Sequence, residues 1–98
     1  MNDYIFLMHD DTPTTDDTGS SWESYLTRLR QSGQFSGGSS IGTGECFSKS
    51  GNSKNITAHL TGYLIFKAES IEDAKQFLLG NPVYESGGTV EIRELPRD

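Results

Sequence analysis

The stretch LTGYLIFKAESIEDAKQFLLGNPVYESGGTVEIREL, residues 60–95, decides the fold. Its first nine residues are apolar, aromatic and β-branched, and read as a strand. Ser70 follows with Asp73 three positions on. That is capping-box spacing, in which a hydroxyl and a carboxylate each satisfy an orphan backbone N–H. Ile71, Ala74, Phe77 and Leu78 form the helical stripe behind this cap. Gly80 and Pro82 are expected to end the helix, since proline cannot continue it. Gly87-Gly88 is a turn. Thr89-Val90-Glu91-Ile92-Arg93 alternates polar and apolar residues as a half-exposed strand does, and Pro96 closes it.

The same signals recur upstream. Tyr4-Ile5-Phe6-Leu7-Met8 reads as a strand buried on both faces. Residues 10–19, DDTPTTDDTG, read as a polar loop. Ser20 or Ser21 opens a helix, and Ser20 with Glu23 has the capping-box spacing. Trp22, Tyr25, Leu26 and Leu29 then recur at i, i+3, i+4 and i+7. Gly33 is the expected C-cap, and Arg28 and Arg30 near that end suit the helix dipole. Residues 33–55 are rich in Gly and Ser. They accommodate a strand over 34–41, a short second piece at 45–48 and a turn at Ser50-Gly51-Asn52. Low complexity also allows a floppy loop there.

The order is β-α-β-(β)-β-α-β. This is the ferredoxin-like βαββαβ plan, an α+β fold with an antiparallel sheet and helices on one face. At 98 residues the chain makes one domain, residues 1–98. In both of the strongest strands the alternate residues are apolar too: Ile5 and Leu7 beside Tyr4, Phe6 and Met8, and Leu64 and Phe66 beside Tyr63 and Ile65. Helices cover only one face, so the other needs a second copy of the sheet. A homodimer is expected. The lean hydrophobic content, 33%, points the same way, because so short a chain buries only about two thirds of its unfolded surface.

Charge and cysteine content set further bounds. Eight Lys and Arg against fourteen Asp and Glu give a net charge of −6. Nucleic-acid binders gain affinity by neutralising phosphates, so this chain is poorly suited to that role and to anionic membrane surfaces. No apolar run approaches the roughly 20 residues of a membrane span. No basic segment followed by an apolar one opens the chain, so no signal peptide is expected. Cys46 is the only cysteine, which excludes an internal disulfide and fits a reducing cytoplasm. It reads as a small half-buried strand residue, having no basic partner nearby to activate it. Asn55-Ile56-Thr57 matches a glycosylation acceptor that a cytoplasmic chain would not use.

Most catalytic motifs fail on inspection. Lys49-Ser50 lacks the phosphate-loop glycines, because Thr43 and Ser48 stand in their places. Gly42-Thr43-Gly44 lacks the third glycine of a dinucleotide fingerprint. No histidine or cysteine spacing supports a metal site, and neither metal nor organic cofactor is expected. What remains are polar residues at strand ends. His9, Asp10 and Asp11 stand where the first strand exits, and an imidazole with a carboxylate there can move protons near neutral pH. His59 precedes the central strand.

Gly62-Tyr63-Leu64-Ile65-Phe66, then Glu69-Ser70-Ile71-Glu72-Asp73-Ala74, Asn81-Pro82 and Gly87-Gly88-Thr89-Val90-Glu91-Ile92-Arg93, resemble the second half of the YCII-related family, which includes the DGPF subgroup. The first strand, first helix and glycine-rich second strand fit the family's first half. The resemblance implies a ferredoxin-like fold that dimerises through its sheets into an α/β barrel. It also implies a site built from an aspartate at the end of the first strand and a histidine on the first helix. Some relatives are dehydrochlorinases acting on intermediates of aromatic degradation. The family aspartate falls on Asp10. The histidine falls on Tyr25, whose ordinary pKa of about 10 makes it a poor neutral-pH base. Of the Asp-Gly-Pro-Phe stretch only Gly51 matches.

Two functional readings follow. In one, the chain is a non-catalytic module that binds a small anionic or aromatic ligand, or a protein. In the other it is an enzyme with lyase-like acid/base chemistry on such a metabolite. There Asp10 is the acid/base, with Tyr25 or His59 as hydrogen-bonding partner, Arg28 as anchor for a ligand carboxylate and His9 as a further ligand-binding candidate. The tyrosine at position 25 favours the non-catalytic reading.

Overall fold

The computed structural model describes residues 1–11, 21–51 and 55–97. Four strands, β1 (Asn2–His9), β2 (Phe35–Ser40), β3 (Leu60–Ala68) and β4 (Thr89–Leu95), form one antiparallel sheet in the order β2-β3-β1-β4. Helix α1 (Trp22–Ser32) joins β1 to β2. Helix α2 (Ile71–Ala74), a 3-10 turn (Lys75–Leu78) and α3 (Pro82–Glu85) join β3 to β4. This is the ferredoxin-like α+β arrangement expected from the sequence.

Strand alternation divides the sheet into two unlike faces. Tyr4, Phe6 and Met8 of β1 and Leu64, Phe66 and Ala68 of β3 are buried under the helices. Tyr25 and Leu29 of α1, with Ala74 and Phe77, complete that core. Ile5, Leu7, Tyr63 and Ile65 point the other way and are only half-buried. β1 therefore has one buried face within the chain, not two.

Local chemistry fixes the helix ends. Ser21 is the N-cap of α1, its hydroxyl accepting the Ser24 N–H at 3.1 Å. The alternative cap, Ser20, lies outside the described residues, as do residues 12–19 of the expected acidic loop. Gly33 ends α1 at φ 75°, a left-handed conformation that a side chain would resist. Ser70 caps α2 through the Asp73 N–H. The Asp73 carboxylate reaches back to the Glu69 N–H, one residue before the position expected for a capping box.

The second helix differs from its expectation. It tightens into 3-10 geometry at Lys75; Ala74, Phe77 and half-buried Leu78 keep the stripe, and Ile71 is exposed. Pro82 does not end a helix but begins α3, as the first-turn residue whose missing N–H costs nothing. Its N-cap is Asn81, which is fully buried and accepts the Val83 and Tyr84 N–H groups. Residues 45–48 form no strand. Ser48 to Gly51 make a turn, closed by the Gly51 N–H on the Ser48 carbonyl, and Cys46 is half-buried outside any strand. Asn52 lies outside the described residues.

Glycine in β2 answers a steric demand. A Cβ on Gly38 would stand 2.3 Å from the Tyr63 carbonyl oxygen and 2.8 Å from Leu64 Cδ2. A Cβ on Gly42 would meet nothing within 4 Å. Gly38→Ala should therefore cost about 1–3 kcal/mol of stability, as overpacking does. Gly42→Ala should stay within about 1 kcal/mol of the parent or gain slightly. Urea unfolding of the two variants checks the contrast.

Candidate functional site

The exit of β1 gathers most of the polar residues singled out from the sequence. Pairing with β3 shifts register between Met8 and His9. His9 Nε2 lies 3.1 Å from Glu91 Oε1 on the neighbouring β4. The His59 ring centroid lies 6.0 Å from that of His9, and the Asp10 N–H donates to the His59 carbonyl at 2.6 Å. Asp11 Oδ1 accepts the Thr89 N–H at 2.9 Å and so ties the exit of β1 to the start of β4. The Asp10 side chain is exposed and hydrogen-bonds to no described residue.

Two carboxyl groups there are shifted. The bond from Thr89 holds Asp11 below the usual carboxylate value. Arg93, whose Nε is 2.7 Å from Glu91, and then His9 hold Glu91 down as well. Glu91 escaped the sequence reading because only the β1–β4 register places it beside His9. The alternation of β4 was the one available signal.

Tyr25 and Arg28 belong to a different cluster. Tyr25 is buried at 3% exposure, and its hydroxyl donates to the Phe77 carbonyl at 2.5 Å. Burial pushes its pKa up. Weaker influences from Asn81 and Arg28 oppose that rise. The Arg28 guanidinium lies 5.6 Å from the Tyr25 ring centroid and donates to the Leu79 carbonyl. Among the described residues no hydrogen bond joins Asp10 to Tyr25. The aspartate and the helix position implied by the family resemblance are thus present but not paired. Asn81, absent from the sequence reading, completes this cluster, its Nδ2 donating to the Met8 sulfur at 3.7 Å.

A concavity lies elsewhere, on the helix side. A groove of about 600 Å³ runs between α1 and the β2–β3 strands. Trp22, Leu26 and Arg30 form one wall, Phe35 and Val83 close it, and Gly38 and Gly62 belong to its floor. None of Asp10, Tyr25, His9, Arg28 or His59 lines it. The sequence signal for this wall was the i, i+4, i+8 spacing of Trp22, Leu26 and Arg30, which marks one helix face. Among the described residues no group of three or more His, Cys, Asp and Glu side chains is placed to hold a metal ion, and no helix is long and apolar enough to cross a membrane.

Comparison with known proteins supports the fold. The 5-chloro-2-hydroxyhydroquinone dehydrochlorinase of Burkholderia phenoliruptrix AC1100, solved with 2,5-dihydroxybenzoquinone, superposes with a TM-score of 0.60. The match covers 98% of this chain and 95% of that one at 14% sequence identity. That enzyme is of the dimeric α/β barrel type, so the ferredoxin-like architecture is shared across nearly the whole chain. No family model and no curated protein matches the sequence.

The carboxyl shifts have a testable order. A lowered folded-state pKa means that each group's stabilising contribution is present above the ordinary carboxylate range and is lost as pH falls through the folded value. Carbon-detected NMR titration should place the midpoints of Asp11 and Glu91 below 3.8 and 4.5, respectively. Arg93→Ala should raise the Glu91 midpoint more than His9→Ala does, since Arg93 is the larger influence.

Proposed function

We propose that this chain is a non-catalytic binding module for a small anionic or aromatic ligand, working as a homodimer of YCII-like type in a reducing cytoplasm. The observation that carries the reading is the commitment of Tyr25. Its hydroxyl is buried against the Phe77 carbonyl, at the helix position where acid/base chemistry would need an exchangeable, accessible group. The fold nevertheless keeps a groove whose volume falls in the usual range for small-molecule sites, about 300–1,000 Å³.

The uncovered sheet face supports the dimer. Ile5 and Leu7 on β1 lie across from Ile65 and Tyr63 on β3 and make an apolar centre. Charged pairs, His9–Glu91–Arg93 and Asp3–Arg97, lie toward its margin. An apolar centre with a polar rim is the usual anatomy of an interface. A second copy joined through this face would close an α/β barrel and leave both grooves outside it. If so, the melting temperature rises with protein concentration, and Leu7→Glu abolishes that rise and yields a monomer by sedimentation. A monomer mass with a flat melting temperature in the parent protein refutes the barrel.

A second reading has one specific support. The dehydrochlorinase neighbour is an enzyme, and Asp10 is an exposed carboxylate at a strand exit. Asp10 would then act as acid/base in a lyase-type reaction, with His9 or His59 supplying the imidazole that position 25 lacks. Incubation with a chlorinated hydroquinone separates the two readings. The module releases no chloride. Chloride release that disappears in Asp10→Asn, with folding intact, establishes the enzyme.

A further inference from the structure

We propose that the groove between α1 and β2–β3 binds a planar aromatic anion, with Arg30 holding the anionic group and Trp22 covering the ring. This rests on the ligand-binding reading above and gives it a place and a ligand class.

Charge comes first. The chain carries a net charge of −6, so a cation facing a cavity and left without a carboxylate is unexpected. Among the described residues, Arg93 pairs with Glu91, Lys75 with Glu72 and Arg97 with Asp3. Arg28 is spent on the Leu79 carbonyl. Arg30 lines the groove and pairs with no carboxylate of a described residue. Lys49 and Lys67 are also unpaired, but neither lines the groove. A cation in the last turn suits the helix dipole, which accounts for charge at position 30. It does not account for the cavity beside it. A guanidinium presents a planar fork matched to a carboxylate.

Shape comes second. A Cβ built on Gly38 would stand 2.3 Å from Tyr63 O, and one on Gly62 3.1 Å from Met8 Cε. Leu64 and Met8 occupy the space those side chains would take, and both line the groove as further apolar surface. Leu26 and Phe35 supply apolar sides, and Trp22 is 40% exposed at the wall. An exposed indole beside an apolar groove offers a face for stacking. Ser39, Ser40 and Thr61 also line it, the Ser39 hydroxyl donating to the Ser40 carbonyl and the Thr61 hydroxyl to the Met8 carbonyl. An aromatic wall, apolar sides and one cation together select an aromatic ring bearing a negative charge.

Trp22 is the only tryptophan, so its indole N–H signal reports on the groove. The probes are 2-naphthoate and its neutral counterpart 2-naphthamide, each titrated into the full chain and followed by ¹H–¹⁵N correlation spectra. The expected result is a Trp22 shift with naphthoate bound at least about tenfold more tightly than naphthamide. Arg30→Gln removes that preference, Arg30→Lys restores part of it, and naphthamide affinity stays constant. Arg30 is exposed, so neither substitution threatens folding. Equal binding of both probes, unchanged in Arg30→Gln, overturns the anion assignment and leaves the ligand-binding reading standing. No Trp22 shift with either probe at millimolar concentration overturns both.

Discussion

The stack of Phe66 on Phe77 is the contact on which the two layers depend. The rings are 4.6 Å apart and 5° from parallel. Phe66 also meets Phe6 at 4.7 Å and Phe35 at 5.6 Å, so one side chain of β3 touches β1, β2 and the helical layer. Phe6 and Phe66 are wholly buried. Truncating a buried phenylalanine typically costs about 3–5 kcal/mol, a large part of the roughly 5–15 kcal/mol that holds a small domain together. The second helical segment depends on such packing. α2 and the 3-10 turn that follows it are four residues each, too short to persist without tertiary packing.

The layer is secured at a second point by α1. Tyr25 donates to the Phe77 carbonyl and Arg28 to the Leu79 carbonyl, both in a stretch where 3-10 geometry leaves carbonyls without helical partners. Asn81 then closes the account by capping α3 and reaching Met8 on β1. Three polar side chains thus satisfy backbone groups that the short helices cannot satisfy themselves. The side chains that make these bonds are withdrawn from ligand chemistry. A groove remains on the opposite flank of α1, where Trp22, Leu26 and Arg30 face β2 and β3.

The sheet was legible in the sequence because its signals are local. Strand alternation, Ser70 as N-cap and Gly33 as C-cap each need only neighbouring residues, and each appears where it was read. The broken second helix was not legible. Pro82 ends or begins a helix according to whether Asn81 is placed to cap, and that depends on its burial against Met8, which only tertiary packing creates. The piece expected at 45–48 failed for a related reason, since β-propensity over four residues decides nothing without a partner strand. Of the site, His9, Asp10 and Asp11 read as the exit of the first strand, whereas the nearness of His59 needed the pairing of β1 with β3. The pairing of His9 with Glu91 needed the register, and the groove needed the helix placed over the sheet. Tyr25 and Arg28 were read as facing a ligand, yet their hydrogen bonds run to backbone, a choice that sequence cannot distinguish.

The geometry of α1 also gives a physical reason for a tyrosine at position 25. Its ring packs in the core, and its hydroxyl must reach a carbonyl across the interlayer space while remaining neutral. Burial raises the pKa of a phenol and so protects the neutral, donating form. An imidazole in the same place would be pushed the other way, toward deprotonation, and would be shorter. Fastening the helical layer and supplying a neutral-pH base are therefore competing demands on one position. With short, weakly self-supporting helices beyond β3, the structural demand prevails. The Trp22–Leu26–Arg30 face carries no such fastening: Leu26 packs against the core, and all three residues border the groove.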